Sequence, residues 1–152
     1  MFSGISTISV DAKGRVAVPV NLRERLEEAG VSKMKLTVDP DRCLLIYPIE
    51  NWRVFEAKVM GLSNLDPINR GLQRTYVGHA TDIELDANGR FLVPPLLREY
   101  ASIEKKAVIL GQGNKFEMWS KERWDEKFNE YPDLLSGISL ESLSAAAQEL
   151  SI

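Results

Sequence analysis

Hydrophobic and polar positions alternate with a period of two near the start of the chain. Ile8 and Val10 alternate with Thr7 and Ser9, and Val16 and Val18 flank Ala17. That alternation predicts two short strands. Between them, Asp11-Ala-Lys-Gly14 carries turn chemistry: Asp at the first position of a type I turn accepts from backbone amides, and Gly at the fourth adopts the positive φ of a bulge. The segment therefore reads as a β-hairpin. The period then lengthens. Pro19 presets a first helical turn, Leu22, Leu26 and Ala29 fall on one side, and Gly30 stops the helix. Two further strands are predicted, roughly Lys35–Val38 and Leu44–Tyr47, followed by a helix with Trp52, Phe55 and Val59 in one apolar stripe.

The same order of signals returns. Asp11-Ala-Lys-Gly-Arg-Val-Ala-Val-Pro-Val-Asn-Leu-Arg-Glu-Arg-Leu26 recurs as Asp86-Ala-Asn-Gly-Arg-Phe-Leu-Val-Pro-Pro-Leu-Leu-Arg-Glu-Tyr-Ala101, with nine of sixteen positions identical at an offset of 75. At an offset of 72, Leu36-Thr-Val38 aligns with Val108-Ile-Leu110, and Trp52 with Trp124. The second copy predicts a hairpin between Ile83/Leu85 and Phe91/Val93, a helix from Pro94-Pro95 carrying Leu97 and Ala101, and strands at Ala107–Leu110 and Phe116–Trp119. Its closing helix carries Trp124, Phe128 and Tyr131. The chain is thus two tandem β-β-α-β-β-α repeats, an α+β protein.

A unit of about 60 residues hides only ~60% of its unfolded surface and is marginal alone. Two such units with free strand edges are expected to interleave into one pseudo-twofold β-barrel body with flanking helices. The organisation read from the sequence is a first repeat over 1–65, a linker helix over 66–80, a second repeat over 81–131 and an amphipathic tail over 132–152. Asp66 as N-cap and Pro67 at the first position open the linker helix, with Ile68, Leu72 and Tyr76 on one face. Leu140, Leu143, Ala147 and Leu150 predict a short tail helix that packs on its own chain or on a neighbour.

Composition narrows the chemistry. The 152 residues hold one Cys and one His, which leaves neither a disulfide framework nor a Cys/His zinc cage within the chain. The lone Cys43 suits a reducing cytosol. No apolar run is long enough for a membrane span, and Met1-Phe-Ser-Gly-Ile lacks the pattern of a secretion signal. No nucleophile–base–orienter set can be assembled, so neither catalysis, a cofactor nor a small-molecule substrate is expected. The net charge is −3, which argues against coating nucleic acid by bulk attraction. Residues 1–75 nevertheless carry 11 Lys+Arg against 9 Asp+Glu, while residues 76–152 carry 8 against 13. A polyanion would have to be met by a local patch.

The repeated hairpin tip is the leading candidate for such a patch. A connecting turn needs Asp and Gly; it does not need Arg directly after the glycine, twice. Lys13-Gly14-Arg15 places two cations on a projecting ribbon, and Asn88-Gly89-Arg90 repeats it with one cation fewer. Glycine allows backbone to approach a ligand closely, a two-stranded ribbon fits the major groove, and Arg bonds guanine through O6 and N7. The competing reading is that Arg15 pairs with Asp11, and Arg90 with Asp86, only to brace each turn. Leu110-Gly-Gln-Gly-Asn-Lys115 lacks the spacing of a phosphate-binding loop and reads as a strand connector. His79 and Cys43 read as structural, Glu27-Glu28 and Asp125-Glu126 as solvated helix surface. Arg70 and Arg74 read as an ion-pairing stripe ahead of a DNA contact.

The doubled Asp-x-x-x-Arg motif, Asp11…Arg15 and Asp86…Arg90, resembles the MraZ family, as do Met1-Phe2, Gly78-His79-Ala80 and Gly113-Asn-Lys-Phe-Glu117. The likeness covers residues 1–131, and each unit is similar to the AbrB/SpoVT swapped-hairpin DNA-binding fold. The resemblance implies a cytoplasmic, nucleoid-associated bacterial transcriptional regulator, usually a repressor, of a division and cell-wall gene cluster that includes its own gene. It further implies a ring-shaped homo-oligomer on double-stranded promoter DNA with short direct repeats. By position, the DNA-binding residues would be Lys13, Gly14, Arg15, Asn88, Gly89 and Arg90. A self-assembling scaffold without specific DNA binding is the alternative.

Overall fold

The strands expected from the alternation form, and those of the two repeats are exchanged in space. The structure is a computed structural model and describes residues 1–150. The first repeat supplies β1 (Ile5–Ser9), β2 (Arg15–Ala17), β3 (Lys33–Asp39) and β4 (Cys43–Pro48). The second supplies β5 (Thr81–Glu84), β6 (Arg90–Leu92), β7 (Lys106–Gly111) and β8 (Phe116–Ser120). Helices α1 (Val20–Glu28) and α2 (Ile49–Met60) belong to the first repeat, α3 (Pro67–Leu72) to the linker, and α4 (Pro95–Tyr100) to the second repeat. Among the described residues no helix is long and apolar enough to cross a membrane.

Six strands form one antiparallel sheet in the order β1-β7-β8-β4-β3-β5, and β2 pairs with β6 in a separate two-stranded ribbon. Strands from different repeats therefore meet at β1–β7, β3–β5, β4–β8 and β2–β6. Two of these ladders pair equivalent residues with each other: Leu45 with Glu117 at offset 72, and Val16 with Phe91 at offset 75. A twofold relation between the repeats requires this register.

Two expectations are corrected. The sheet does not close into a barrel. Its ends are β1 and β5, and β1 meets β2 only through the isolated bridge Val10↔Val16. Strands β2 and β6 are three residues each and spend their ladder bonds on one another. The repeat alignment also shifts by one residue at the third strand. Ile8 pairs with Ala107 where Ile83 pairs with Met34, and Leu36 pairs with Ile46 where Ile109 pairs with Met118. Leu36 is thus equivalent to Ile109, at offset 73, rather than to Val108. A one-residue slip reverses strand faces, and burial of Met34 and Leu36 decides which face points inward.

The main core draws on both copies. Val16, Val93, Leu36, Leu97 and Met118 lie within one buried cluster. A second, aromatic cluster packs α2 on the sheet: Trp52 is buried, Tyr47 stacks on Phe55 at 5.1 Å, and Phe55 meets Tyr76 edge-on at 5.2 Å. Tyr76 reaches this cluster because the linker is not one regular helix. Asp66 caps α3 by accepting from the Ile68 amide at 2.8 Å, and a π-helical turn over Gln73–Val77 follows. The Thr37 hydroxyl donates to the Tyr76 carbonyl at 2.6 Å. The wider turn takes Tyr76 off the α-helical spacing from Ile68, so Tyr76 packs while Ile68 stays 74% exposed.

Two compact units make up the chain, Met1–Lys121 and Glu122–Ile152. In the second, α5 (Lys121–Ser136) continues through Pro132, past the expected boundary at 131, and Trp124 stacks on Phe128 at 5.8 Å. The expected tail helix is instead a 3₁₀ turn at Leu140–Ser142 and a short α6 (Ala145–Gln148). Ser144 explains the break: its hydroxyl accepts from the Ala147 amide at 3.1 Å and starts a new helix. Residues 151 and 152 of the tail lie outside the described residues.

Candidate nucleic-acid interface

Asp11 organises the first tip. One carboxylate oxygen accepts from the amides of Lys13 and Arg15, each at 2.9 Å, and the other accepts from the Arg15 Nε at 2.8 Å. Backbone bonds close the turn: the Gly14 amide donates to the Asp11 carbonyl and the Asp11 amide to the Arg15 carbonyl, both at 3.0 Å. The amide of Arg15, its guanidinium and the Lys13 amide hold the Asp11 carboxyl below its ordinary value, overcoming a modest desolvation. A carboxyl depressed in the folded state stabilises the turn above its unfolded pKa, and the contribution is lost as acid titrates the folded form. The brace is therefore intact at neutral pH.

The second tip repeats the arrangement with one looser joint. Asp86 accepts from the Asn88 amide at 2.8 Å and the Arg90 amide at 2.9 Å, and these amides likewise lower its pKa. Its oxygen lies 3.4 Å from the Arg90 Nε, which is buried without a hydrogen-bond partner.

Bracing and ligand contact are not exclusive. Arg15 spends one of its guanidinium donors on Asp11 and remains 40% exposed. Tying down Nε fixes the plane of the fork while leaving its outer N–H groups to reach a ligand. Lys13 is exposed beside it.

The glycines also have a structural role. Gly14 and Gly89 are buried, at φ +88° and +71°. Each is overlaid by an arginine of the other repeat. A Cβ on Gly14 would strike the Arg98 guanidinium and come within 2.9 Å of the Val93 carbonyl, and one on Gly89 would strike Arg23. The Val93 amide donates to the Gly14 carbonyl, and the Val18 amide to the Gly89 carbonyl, both at 2.9 Å. Arg98 Nε also donates to the Val93 carbonyl at 2.9 Å. Each tip is thus seated by the helix of its partner repeat. Sequence reasoning missed Arg23 and Arg98, although the repeated Leu22-Arg23-Glu24 and Leu97-Arg98-Glu99 were a signal.

Crowding at Gly14 can be separated from backbone strain. Gly4 has a similar φ of +92° with nothing within 4 Å of an added Cβ. A side chain at positive φ costs about 1–3 kcal/mol. In urea unfolding, Gly14→Ala should therefore destabilise more than Gly4→Ala, and Arg98→Ala should relieve part of the difference. Equal effects at the two glycines would mean that Arg98 does not seat the turn in solution.

Strands β2 and β6 carry the tips together. Their register is Arg15↔Leu92, Val16↔Phe91 and Ala17↔Arg90. Directly opposed residues share a face. Val16 and Phe91 point inward, 0% and 3% exposed, so Arg15, Ala17, Arg90 and Leu92 share the outer face. Five cations, Lys13, Arg15, Arg23, Arg90 and Arg98, lie in or over the two turns that carry Asp11 and Asp86.

The other candidates sit elsewhere. The Arg70 Nη1 donates to the Asn64 carbonyl at 2.9 Å, serving the chain's own loop. His79 Nδ1 lies 3.0 Å and 2.9 Å from the carbonyls of Arg74 and Thr75. Cys43 is buried, and burial raises its thiol pKa. Gly113 connects β7 to β8 and bridges to Phe2. Glu27, Glu28, Asp125 and Glu126 are exposed. Among the described residues no group of His, Cys, Asp and Glu is placed to hold a metal.

Comparison with known proteins gives a consistent family. A relative from Hydrogenovibrio crunogenus named transcriptional regulator MraZ is 46% identical over 152 residues, covering 99% of this chain and 98% of the relative. Relatives of the same name from Shewanella denitrificans and Methylobacillus flagellatus are 43% and 44% identical, covering 93% and 92% of this chain and 94% and 100% of their own. The family model described as "MraZ protein, putative antitoxin-like" matches twice, over residues 1–75 and 76–149. Those two matches divide the chain where the repeated Asp-x-x-x-Arg turns divide it, and the chain belongs to the MraZ family.

Proposed function

We propose that this protein is a sequence-specific DNA-binding transcriptional regulator acting through the paired Arg tips of the β2–β6 ribbon. The observation that carries this reading is the pair of carboxylate-braced arginines, Arg15 and Arg90, held on one outer face of a two-stranded ribbon. A ribbon of that width enters the major groove, and a fork fixed at Nε suits guanine O6 and N7. Lys13 meets phosphate and sets position rather than sequence. The names of the relatives support the regulatory role.

One chain with a net charge of −3 and a single ribbon would release few counterions and bind weakly. A homo-oligomeric ring holding several ribbons at fixed spacing makes later contacts intramolecular, which adds on the order of 10²–10⁴ in affinity. Short direct repeats in promoter DNA are the partner such a ring fits. On this reading the protein is a nucleoid-associated repressor in the cytoplasm, acting on a division and cell-wall gene cluster that includes its own promoter.

The test is competition between DNA from upstream of the protein's own gene and random DNA across a salt series. Specific binding should outlast the random competitor as salt rises, and footprints should fall on spaced repeats. Equal affinity for both DNAs, lost together with salt, would favour a self-assembling scaffold, which the exposed Leu65 and Ile68 would equally serve.

A further inference from the structure

Building on the DNA-binding reading, we infer that Leu92 is a specificity-determining residue that reads a thymine methyl group beside the base contacted by Arg15. The outer face of the ribbon holds four side chains, and three have an evident use or none. Arg15 and Arg90 are the braced cations, and Ala17 is too short to reach beyond the backbone. Leu92 is a large apolar side chain left 50% exposed between them, directly opposite Arg15 across the ladder.

Leu92 does not serve the core, because the inward positions of β6 and β2 belong to Phe91 and Val16. Cβ atoms of opposed residues lie about 4.5–5.5 Å apart, while successive bases on one strand are spaced about 3.4 Å. A fork from Arg15 on one base pair therefore brings Leu92 over a neighbouring one. Among base edges in the major groove, the only apolar feature is the thymine methyl.

The inference also breaks the symmetry of the site. At offset 75 the equivalent of Leu92 is Ala17. One half of the ribbon therefore presents Arg15 with Leu92, and the other presents Arg90 with Ala17. Two unlike halves read a box without palindromic symmetry and impose a direction on it, as tandem repeats in one orientation require.

The experiment uses the full chain and the duplex that it selects from a randomised pool. Thymines in the selected duplex are replaced one at a time by uracil, which removes only the 5-methyl group. The parent should lose about fourfold in affinity at one thymine near the Arg15 footprint, the equivalent of burying one methyl-sized group. Leu92→Ala should bind the thymine and uracil duplexes equally, with unchanged oligomer size and melting temperature. Ala17→Leu should gain a second methyl-sensitive position on the other side of the footprint.

The inference is overturned if Leu92→Ala keeps the parent's methyl dependence, if no thymine is methyl-sensitive, or if the variant changes assembly instead. Arg15→Ala separates this failure from a deeper one. Should Arg15→Ala lose binding while Leu92→Ala behaves as the parent, only the Leu92 role is wrong. Should Arg15→Ala bind as the parent does, the DNA reading itself falls.

Discussion

Replacing Arg15 by Ala should cost about 5- to 150-fold in affinity for the specific duplex at each engaged tip, the range of a bidentate base contact. Several tips on one repeat array would compound the loss. Two effects act in the same direction. The guanidinium fork disappears, and Asp11, now without its 2.8 Å partner, is left as an anion facing phosphates. The backbone brace survives, because the Lys13 and Arg15 amides still donate to Asp11, so fold and oligomer size should be unchanged by light scattering. Arg15→Lys keeps the charge without the planar fork and should retain salt-dependent affinity while losing sequence preference. Arg90→Ala should cost less, since its ion pair is longer at 3.4 Å and its turn carries Asn88 in place of Lys13. An assembled Arg15→Ala protein that binds like the parent would remove the proposed readout.

Phe91→Ala should have the largest effect on stability, about 3–5 kcal/mol, typical of truncating a buried aromatic. Phe91 is 3% exposed and pairs with Val16 where the two repeats meet. It lines one small cavity together with Val18, Leu22, Leu26, Met34, Ile46, Ile109 and Phe116, residues drawn from both repeats, and truncating its ring enlarges that cavity. The loss should appear as a lower urea midpoint in one cooperative transition of the Met1–Lys121 unit. Because the tips are carried on β2 and β6, the DNA-binding competence of the remaining folded molecules should fall as well. A loss below about 1 kcal/mol would mean that the ribbon is not continuous with the core.

Much of this molecule is legible in its sequence, and the reasons are local. Period-two alternation marked the hairpin strands β1, β2, β5 and β6, and Asp and Gly at the first and fourth turn positions marked both tips, because turn geometry is set by φ and by short Asx bonds. The repeat was plain because the same constraints act twice. Pairing was harder. Which of Val108 and Ile109 answers Leu36 depends on the burial of strand neighbours, and an alignment of apolar residues on both sides cannot resolve one step of register. The π turn at Gln73–Val77 was equally hidden, since it is fixed by Thr37 and by the aromatic cluster from a distant part of the chain.

The candidate site divides along the same line. The chain's own residues determined Lys13, Arg15, Asn88 and Arg90, their turns and the Asp braces, all of which are interactions spanning four residues or fewer. The tertiary structure alone decided that Gly14 lies under Arg98 and Gly89 under Arg23, and that Arg15, Ala17, Arg90 and Leu92 share one face. Those relations join residues some 75 positions apart. They exist only because neither repeat can bury its strands alone, so each must complete the other.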